Sequence, residues 1–355
     1  MTSFIHELAT GRVIFGVGEV SRVADEVRRL DARRVLLIGG GYEKAYADRI
    51  ADDLGDLLAG RIEEIVQHVP VEIAAKARRT ADQLDADLLL CVGGGSATGL
   101  AKAVARERSM PILAVPTTYA GSEMSNIWGL TEGQRKTTGR DPRVLPSVVV
   151  YDPELTVTMP AGLTATSGMN SLAHAVEALY AQGASPIVAL IAEESVRALA
   201  RALPSCVQRP DDLAGRSDAL YGAFLSGVAL GNATMGVHHK VCHVLGGAYN
   251  LPHGGIHSAV LPYAVAYNRH AASEAMRRIA AALGADDAAV GLWDLARRID
   301  APTDLVSVGF DPSAVDEVAA IIAAAPPANP RPITEDGIRE LITAACAGEP
   351  PSPAA

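Results

Sequence analysis

Residues 87–105 read DLLLCVGGGSATGLAKAVA: an apolar run stopped by Gly93, Gly94 and Gly95, then a segment rich in Ala. A short, unbroken apolar run suits a strand buried on both faces, and the glycines suit a tight turn into a helix. Such a turn lets the backbone approach a phosphate closely, and the N–H groups of the helix start favour an anion. Ser96 is placed to cap that helix and to donate to a phosphate oxygen. Three glycines serve a plain tight turn equally well. The spacing is also not the G-x-G-x-x-G of the ordinary dinucleotide fingerprint.

Working outward, the same alternation recurs on both sides. RVIFG (12–16), RRVLLIGGG (33–41), IEEIVQHV (62–69), PILAVPTT (111–118) and VLPSVVVYD (144–152) read as strands. EKAYADRIADDLGDLLAG (43–60), VEIAAKARRTADQLDA (71–86) and SATGLAKAVARER (96–108) carry helical spacing of apolar positions. Strands alternating with helices specify a parallel sheet covered on both faces. Residues 1–160 are therefore expected to form a Rossmann-like α/β nucleotide-binding domain. Long Ala- and Leu-rich segments follow, so 161–355 are expected to form an all-α domain. The tract PELTVTMPAGLTATSG (153–168) reads as the boundary.

Two further turns belong with the first. Gly39, Gly40 and Gly41 end the strand at 35–38, where the adenosine half of a dinucleotide can lie. No acidic residue follows that strand directly, because Gly41 and Tyr42 come first and Glu43 lies farther on. A carboxylate there would favour NADH, so the choice between NADH and NADPH stays open. PTTYAGSE (116–123) can bring Thr117, Thr118 and Ser122 to a cofactor, although alone it reads as an ordinary loop.

The chain has 355 residues, 49% of them hydrophobic and 20% charged, which suits two globular domains. A net charge of -10 argues against a sequence-independent grip on nucleic acid. Cys91, Cys206, Cys242 and Cys346 are scattered without a C-x-x-C pair, as expected of thiols in a reducing cytosol. No signal peptide or membrane-length apolar stretch is evident, and a cytoplasmic location is expected.

The second half carries polar chemistry at helical spacing. Asn170 and His174 lie four apart in SGMNSLAHAVEALYA, and His239, His243, His253 and His257 follow in the segment from 236 to 257. Positions four apart share a helix face, so each pair can aim into one pocket. Three imidazoles and a carboxylate would suit a divalent metal, but a neutral asparagine stands at 170. A single histidine is ordinarily a hydrogen-bonded core residue. Five of the nine histidines between positions 238 and 257 strain that explanation, with His238 expected to point elsewhere. GQRKTTGRDPR supplies Arg135, Lys136, Arg140 and Arg143 in a polar loop. These suit carboxylate groups, or else form a solvated loop with an internal pair through Asp141. Lys240 adds a cation beside the histidines, and Glu177 is placed to orient His174.

In this order, G-G-G-S, P-T-T-x-x-G-S-E, G-M-x-x-x-x-H, H-x-x-x-H-x-x-G and P-H-G resemble the iron-containing alcohol dehydrogenase superfamily over nearly the whole chain. VPVE (69–72), TEGQRKTTGRDPRVLP (131–146), GVHHKVCHVLGG (236–247) and NPRP (329–332) look most like its maleylacetate reductase branch. The resemblance implies a dehydroquinate synthase-like architecture with the active site in a cleft. It implies NADH- or NADPH-dependent reduction of the enone of maleylacetate to 3-oxoadipate, in the catabolism of aromatic compounds. The superfamily's metal ligands would fall on Asn170, His174, His239 and His253, and His243 would lie near the nicotinamide. Gly99 stands where metal-dependent relatives carry an acidic residue. Both departures imply a site that requires no metal. Gly254 and Gly255, replacing bulkier residues, bear on the substrate.

The expected roles are then as follows. His243, His253 and His239 are catalytic, stabilising the enolate and delivering the proton. Asn170, His174, His257, Lys136, Arg140 and Lys240 bind substrate. Gly39, Gly93, Gly94, Gly95, Ser96, Thr117, Thr118 and Ser122 bind the cofactor. The partners expected are a small dicarboxylate and a second copy of the chain, with no nucleic acid and no membrane. Two rivals remain: a metal-dependent alcohol dehydrogenase or aldehyde reductase on the same fold, and a dehydroquinate synthase-like lyase.

Overall fold

The computed structural model describes residues 11–133 and 135–352, with the side chains of Tyr42, Arg135 and Lys136 outside the description. Contacts divide the chain into two units. Among the described residues, one holds 11–159 together with Pro210–Leu220; the other holds Pro160–Arg209 and 221–352.

The first unit is built on six parallel strands: β1 (Arg12–Phe15), β2 (Val35–Ile38), β3 (Leu58–Ile62), β4 (Leu88–Gly93), β5 (Ile112–Pro116) and β8 (Val148–Tyr151). Their spatial order is β1-β8-β5-β4-β2-β3. Helices α1 (Val23–Arg29), α2 (Lys44–Leu54), α3 (Val71–Gln83) and α4 (Gly95–Arg108) make the crossovers on that side of the chain. Strands β2, β4, β5 and β8 are buried at every position, which is why they are apolar throughout rather than alternating. From β2 the chain steps outward to β3, then returns past β2 to β4 and continues the other way to β5. The crevice beyond the carboxyl ends at such a reversal is where ligands bind in open α/β sheets.

Four expectations about this unit need correction. The helix read over 43–60 ends at Leu54, because Gly55 adopts φ +52 and turns the chain. The strand that follows is Leu58–Ile62, so IEEIVQHV contributes only Ile62; as a half-exposed edge strand, LAGRI carries little apolar signal. The polar segment RKTTGR is a strand rather than a loop. β6 (Ile127–Glu132) and β7 (Arg135–Arg140) form an antiparallel hairpin turned at Gly133, with φ +58. Finally, Pro210–Leu220 joins this unit although the linear reading placed it in the helical half. Its Arg216 is fully buried and donates to Pro210 O at 2.9 Å and Tyr119 Oη at 3.2 Å, partnerships with no local sequence signature.

The second unit is helical among its described residues. It contains α5 (Ala161–Tyr180), α6 (Pro186–Gln208), most of α7 (Leu213–Asn232), α8 (Val237–Ala248) and α9 (His253–Asn268). It continues with α10 (Ser273–Leu283), α11 (Ala288–Arg298), α12 (Val315–Ala324) and α13 (Glu335–Ala347). The boundary tract is shorter than read, since AGLTATSG already forms the first turns of α5. Gly168 lets α5 approach α6, because a Cβ there would stand 2.3 Å from a methyl of Leu203. Ile256, Val260 and Tyr263 of α9 share a core with Val241 and Leu245 of α8 and Leu341 of α13. No single helix among the described residues is long and apolar enough to cross a membrane. None of the four cysteines forms a disulfide.

Candidate active site

In the α/β unit, the predicted cofactor residues gather at the carboxyl ends of β2, β4 and β5. Gly93 pairs with Pro116 in register, so the turns after β4 and β5 begin at the same level. A Cβ on Gly94 would lie 2.9 Å from Thr118 Oγ1, and one on Gly40 would lie 2.5 Å from the Glu63 carbonyl oxygen. Side chains are thus excluded where the sequence has none. Gly94 is the N-cap of α4 and supplies no side-chain cap, leaving the N–H groups of Gly95 and its successors directed outward. Ser96 lies inside the first helical turn instead of capping it, contrary to the sequence expectation. A bare helix start behind small residues fits the pyrophosphate of a dinucleotide.

The PTTYAGSE turn is held from below. Lys102 is fully buried and donates to the carbonyls of Ser122 (2.6 Å), Ser125 (2.7 Å) and Ile127 (2.9 Å). Beside it, buried Glu123 accepts from Tyr151 Oη at 2.8 Å. Thr117 and Thr118 are buried, and Thr117 Oγ1 donates to Glu43 Oε1 at 3.0 Å. Lys102 and Glu123 escaped the sequence reading, hinted at only by an ionisable residue inside an apolar run at position 102, and Glu43, set aside there as lying too far past the strand, reaches Thr117.

In the helical unit, three helices bring their polar residues to one place. Asn170, His174 and Glu177 come from α5, His238, His239 and His243 from α8, and His253 and His257 from α9. The rings of His174 and His239 stack at 5.0 Å, His239 and His257 meet edge-on at 5.0 Å, and His253 and His257 at 4.3 Å. His243 stands at the half-buried margin, its ring 6.1 Å from that of His239. His238 belongs to the cluster after all, 4.9 Å from His257, with Nε2 against the His257 carbonyl at 3.1 Å.

Glu177 organises this arrangement. Its carboxylate accepts from the backbone N–H groups of Gly236 (3.0 Å) and His238 (2.9 Å), capping α8 from another helix. Asn329 of N-P-R-P accepts from Val237 N at 3.3 Å. The same carboxylate takes His239 Nδ1 at 2.6 Å, so the residue expected to orient His174 orients His239 instead. Burial pushes the Glu177 carboxyl above the usual range, while His238 and the N–H groups oppose that shift. Burial, reinforced by neighbouring imidazoles, holds His174 and His257 well below the ordinary imidazole value, so both are neutral near pH 7. Asn170 Oδ1 and both ring nitrogens of His257 are buried without a hydrogen-bond partner among the described residues. Buried polar atoms are costly unless satisfied, and these suit a polar molecule entering the cluster.

A metal was weighed against this donor set. The histidines whose nitrogens come within 4.8 Å of one another are His238, His239 and His257, a different set from the ligand positions implied by resemblance. His238 Nε2 is engaged by a carbonyl. Asn170 brings an uncharged amide, and both Glu177 oxygens are occupied by N–H groups. Iron(II) sites of mixed histidine and carboxylate type need a carboxylate oxygen that this cluster does not offer. The residues do not fit such a site.

Among the candidate carboxylate-binding cations, Arg140 lies at the end of β7 and donates to Asn126 Oδ1 at 3.2 Å. Arg143 is committed to Asp141 through Nη2 at 2.6 Å, as the solvated-loop alternative had it. Lys136 is also on β7, but its side chain lies outside the described residues. Lys240 is half-buried on α8, immediately after His239.

Comparison with known proteins agrees along the whole chain. Residues 10–153 match the iron-containing alcohol dehydrogenase model, and residues 164–346 match the C-terminal model of the same family. Maleylacetate reductase of Burkholderia cepacia is 46% identical over 352 residues, covering 99% of this chain and 100% of that protein. Maleylacetate reductase of Sphingobium indicum is 48% identical over 348 residues, covering 98% and 99%. The crystal structure of maleylacetate reductase from Rhizobium sp. strain MTP-10005 superposes with a TM-score of 0.94 at 42% identity, covering 99% and 100% of the two chains.

Proposed function

The chain belongs to the iron-containing alcohol dehydrogenase family, and from that membership we propose that it reduces maleylacetate to 3-oxoadipate with a nicotinamide dinucleotide and without a catalytic metal. It is an oxidoreductase, and its relatives of 42–48% identity carry the reductase name across nearly their full length. The observation that carries the metal-free reading is the neutral donor set: Asn170 stands beside His174, and Glu177, the carboxylate that α5 brings to the cluster, is spent on α8 and His239.

Bound dihydronicotinamide supplies a hydride to the alkene carbon β to the ketone. The displaced electron pair moves through the conjugated system onto the ketone oxygen, giving an enolate. N–H donors fixed where that charge develops lower the barrier. An enone needs less polarisation than an isolated carbonyl, so imidazole donors suffice in place of a Lewis acid. Neutral His174 and His257, with Asn170, serve as hydrogen-bonding groups that bind and orient the substrate. The proton source is a less deeply shielded or carboxylate-paired ring: His239, His243 or His253. Glu177 fixes the orientation of His239. The enolate then takes this proton on the carbon α to the ketone, completing saturation of the double bond. Lys240, Arg140 and Lys136 are the candidate partners of the two substrate carboxylates.

The test is oxidation of NADH and NADPH with maleylacetate by enzyme stripped with a chelator and assayed for metal content. Full turnover after stripping is expected. Turnover that returns only with zinc or iron would refute the metal-free site, and reduction of simple aldehydes without turnover of maleylacetate would refute the substrate.

A further inference from the structure

One acidic side chain reaches the point where the strand order of the sheet reverses. Glu43 follows the Gly39–Gly41 turn after β2, yet its side chain folds back over the neighbouring strands. Its Oε1 accepts from Thr117 Oγ1, beyond β5, at 3.0 Å. Its carboxyl carbon lies 3.7 Å from where a Cβ on Gly93, the last residue of β4, would stand. Its Oε2 lies 3.8 Å from the equivalent point on Gly41. The carboxylate therefore spans the ends of β2, β4 and β5, beside the turn that fits a pyrophosphate. The strand end itself cannot carry an acid, since any side chain at Gly40 would run into the Glu63 carbonyl. Glu43 supplies the charge from the following turn.

We propose that Glu43 sets the cofactor preference, accepting hydrogen bonds from the adenosine ribose hydroxyls of NADH and repelling the 2′-phosphate of NADPH. The inference rests on the nicotinamide-dependent reading above. The surrounding charges point the same way. A 2′-phosphate needs a cation, but Lys44 is paired with Asp48 (3.0 Å) and Glu63 (3.4 Å), and Arg61 with Asp48 (2.6 Å). Three carboxylates here stand against two cations. A carboxylate next to a dianionic phosphate discriminates by repulsion as much as by its own attractive contacts.

The alternative role for Glu43 is a structural brace for Thr117. Glu43→Gln separates the two, because the amide oxygen still accepts from Thr117 while the charge is gone. Calorimetric titration of NADH and NADPH into the wild type and the variant reads the preference without depending on turnover. The wild type is expected to bind NADH roughly 10-fold or more tighter than NADPH, and Glu43→Gln to narrow that ratio by about 10-fold. Glu43→Asp, which keeps the charge on a shorter stem, should retain a preference for NADH. A ratio identical in wild type and Glu43→Gln, or a wild type binding both equally, would overturn this assignment alone. Failure of the wild type to bind either dinucleotide would overturn it together with the nicotinamide reading.

Discussion

The two units make their polar sites by opposite means. At the ends of β2 and β4 the α/β unit removes side chains from the chain's own turns, at Gly40, Gly93 and Gly94, where a Cβ would collide with its neighbours. The helical unit instead drives side chains inward, burying four imidazoles, an amide and a carboxylate among Ala, Leu and Val. The first design is cheap in desolvation because bare N–H groups at a helix start stay near the surface. The second requires a partner for nearly every polar atom it buries. Damage should therefore propagate differently: locally and sterically in the first, through a network in the second.

The most severe way to break that contrast is at Glu177. Glu177→Ala leaves His239 Nδ1 and the N–H groups of Gly236 and His238 without their acceptor, all in the interior. A loss of about 3–5 kcal/mol in urea unfolding is expected, the usual cost of opening a buried charged network. Glu177→Gln keeps the shape and removes the charge. It should fold, with kcat for maleylacetate reduced about 10- to 100-fold, as when an orienting carboxylate is lost. Normal kcat in Glu177→Gln would show that His239 needs no orienting anion.

The same contrast explains what could be read without coordinates. Gly93–Gly95 and the alternation around them are local patterns, so the parallel sheet, its glycine-rich turns and the helical second half were all legible. β3 was not, because an edge strand reading LAGRI has no apolar period, and the β6–β7 hairpin was hidden by its charged residues. In the cluster, helical spacing identified Asn170, His174, His239 and His243 as partners. It did not show that Glu177 meets a histidine 62 residues away, or that Asn329 caps a helix start 92 residues back. His238 was expected to point elsewhere, yet its ring lies 5.1 Å from that of His239 and 4.9 Å from that of His257, because α9 brings His257 to the same side.

In the α/β unit, Gly40→Ala tests the opposite kind of site. Gly40 has φ -171, an extended backbone that any residue adopts, so the methyl group introduces only a collision. That collision is with backbone, 2.5 Å from the Glu63 carbonyl oxygen, and a flexible side chain cannot relieve it. Overpacking of this kind costs about 1–3 kcal/mol, and here it should push β2 and β3 apart. Weaker binding of both NADH and NADPH by a similar factor is the expected readout, in contrast to the change of ratio at Glu43. Unchanged melting temperature and unchanged binding would show that the turn is looser than its contacts imply.

The gentlest probe is acid. His174 and His257 are held neutral by burial, so their folded-state pKa values lie below the ordinary value near 6.5 of the unfolded chain. As pH falls through that value the unfolded chain binds protons that the folded protein refuses. Stability present above about pH 6.5 is then lost on acidification, by about 1.4 kcal/mol per pH unit for each such imidazole. Exposed carboxylates titrate lower, and the buried Glu177 and Glu123 are common to both proteins, so urea unfolding of wild type and a His257 variant between about pH 5.5 and 7.5 isolates the His257 contribution. Replacing His257 by Gln removes one titrating group and should lower the slope of stability against pH by about 1.4 kcal/mol per pH unit at its acid end, whatever it does to stability at pH 7.5. An unaltered slope would mean that His257 takes up its proton in the folded state. The histidine cluster would then be open to water, and the division between a surface site of bare backbone and an interior site of buried side chains would fail.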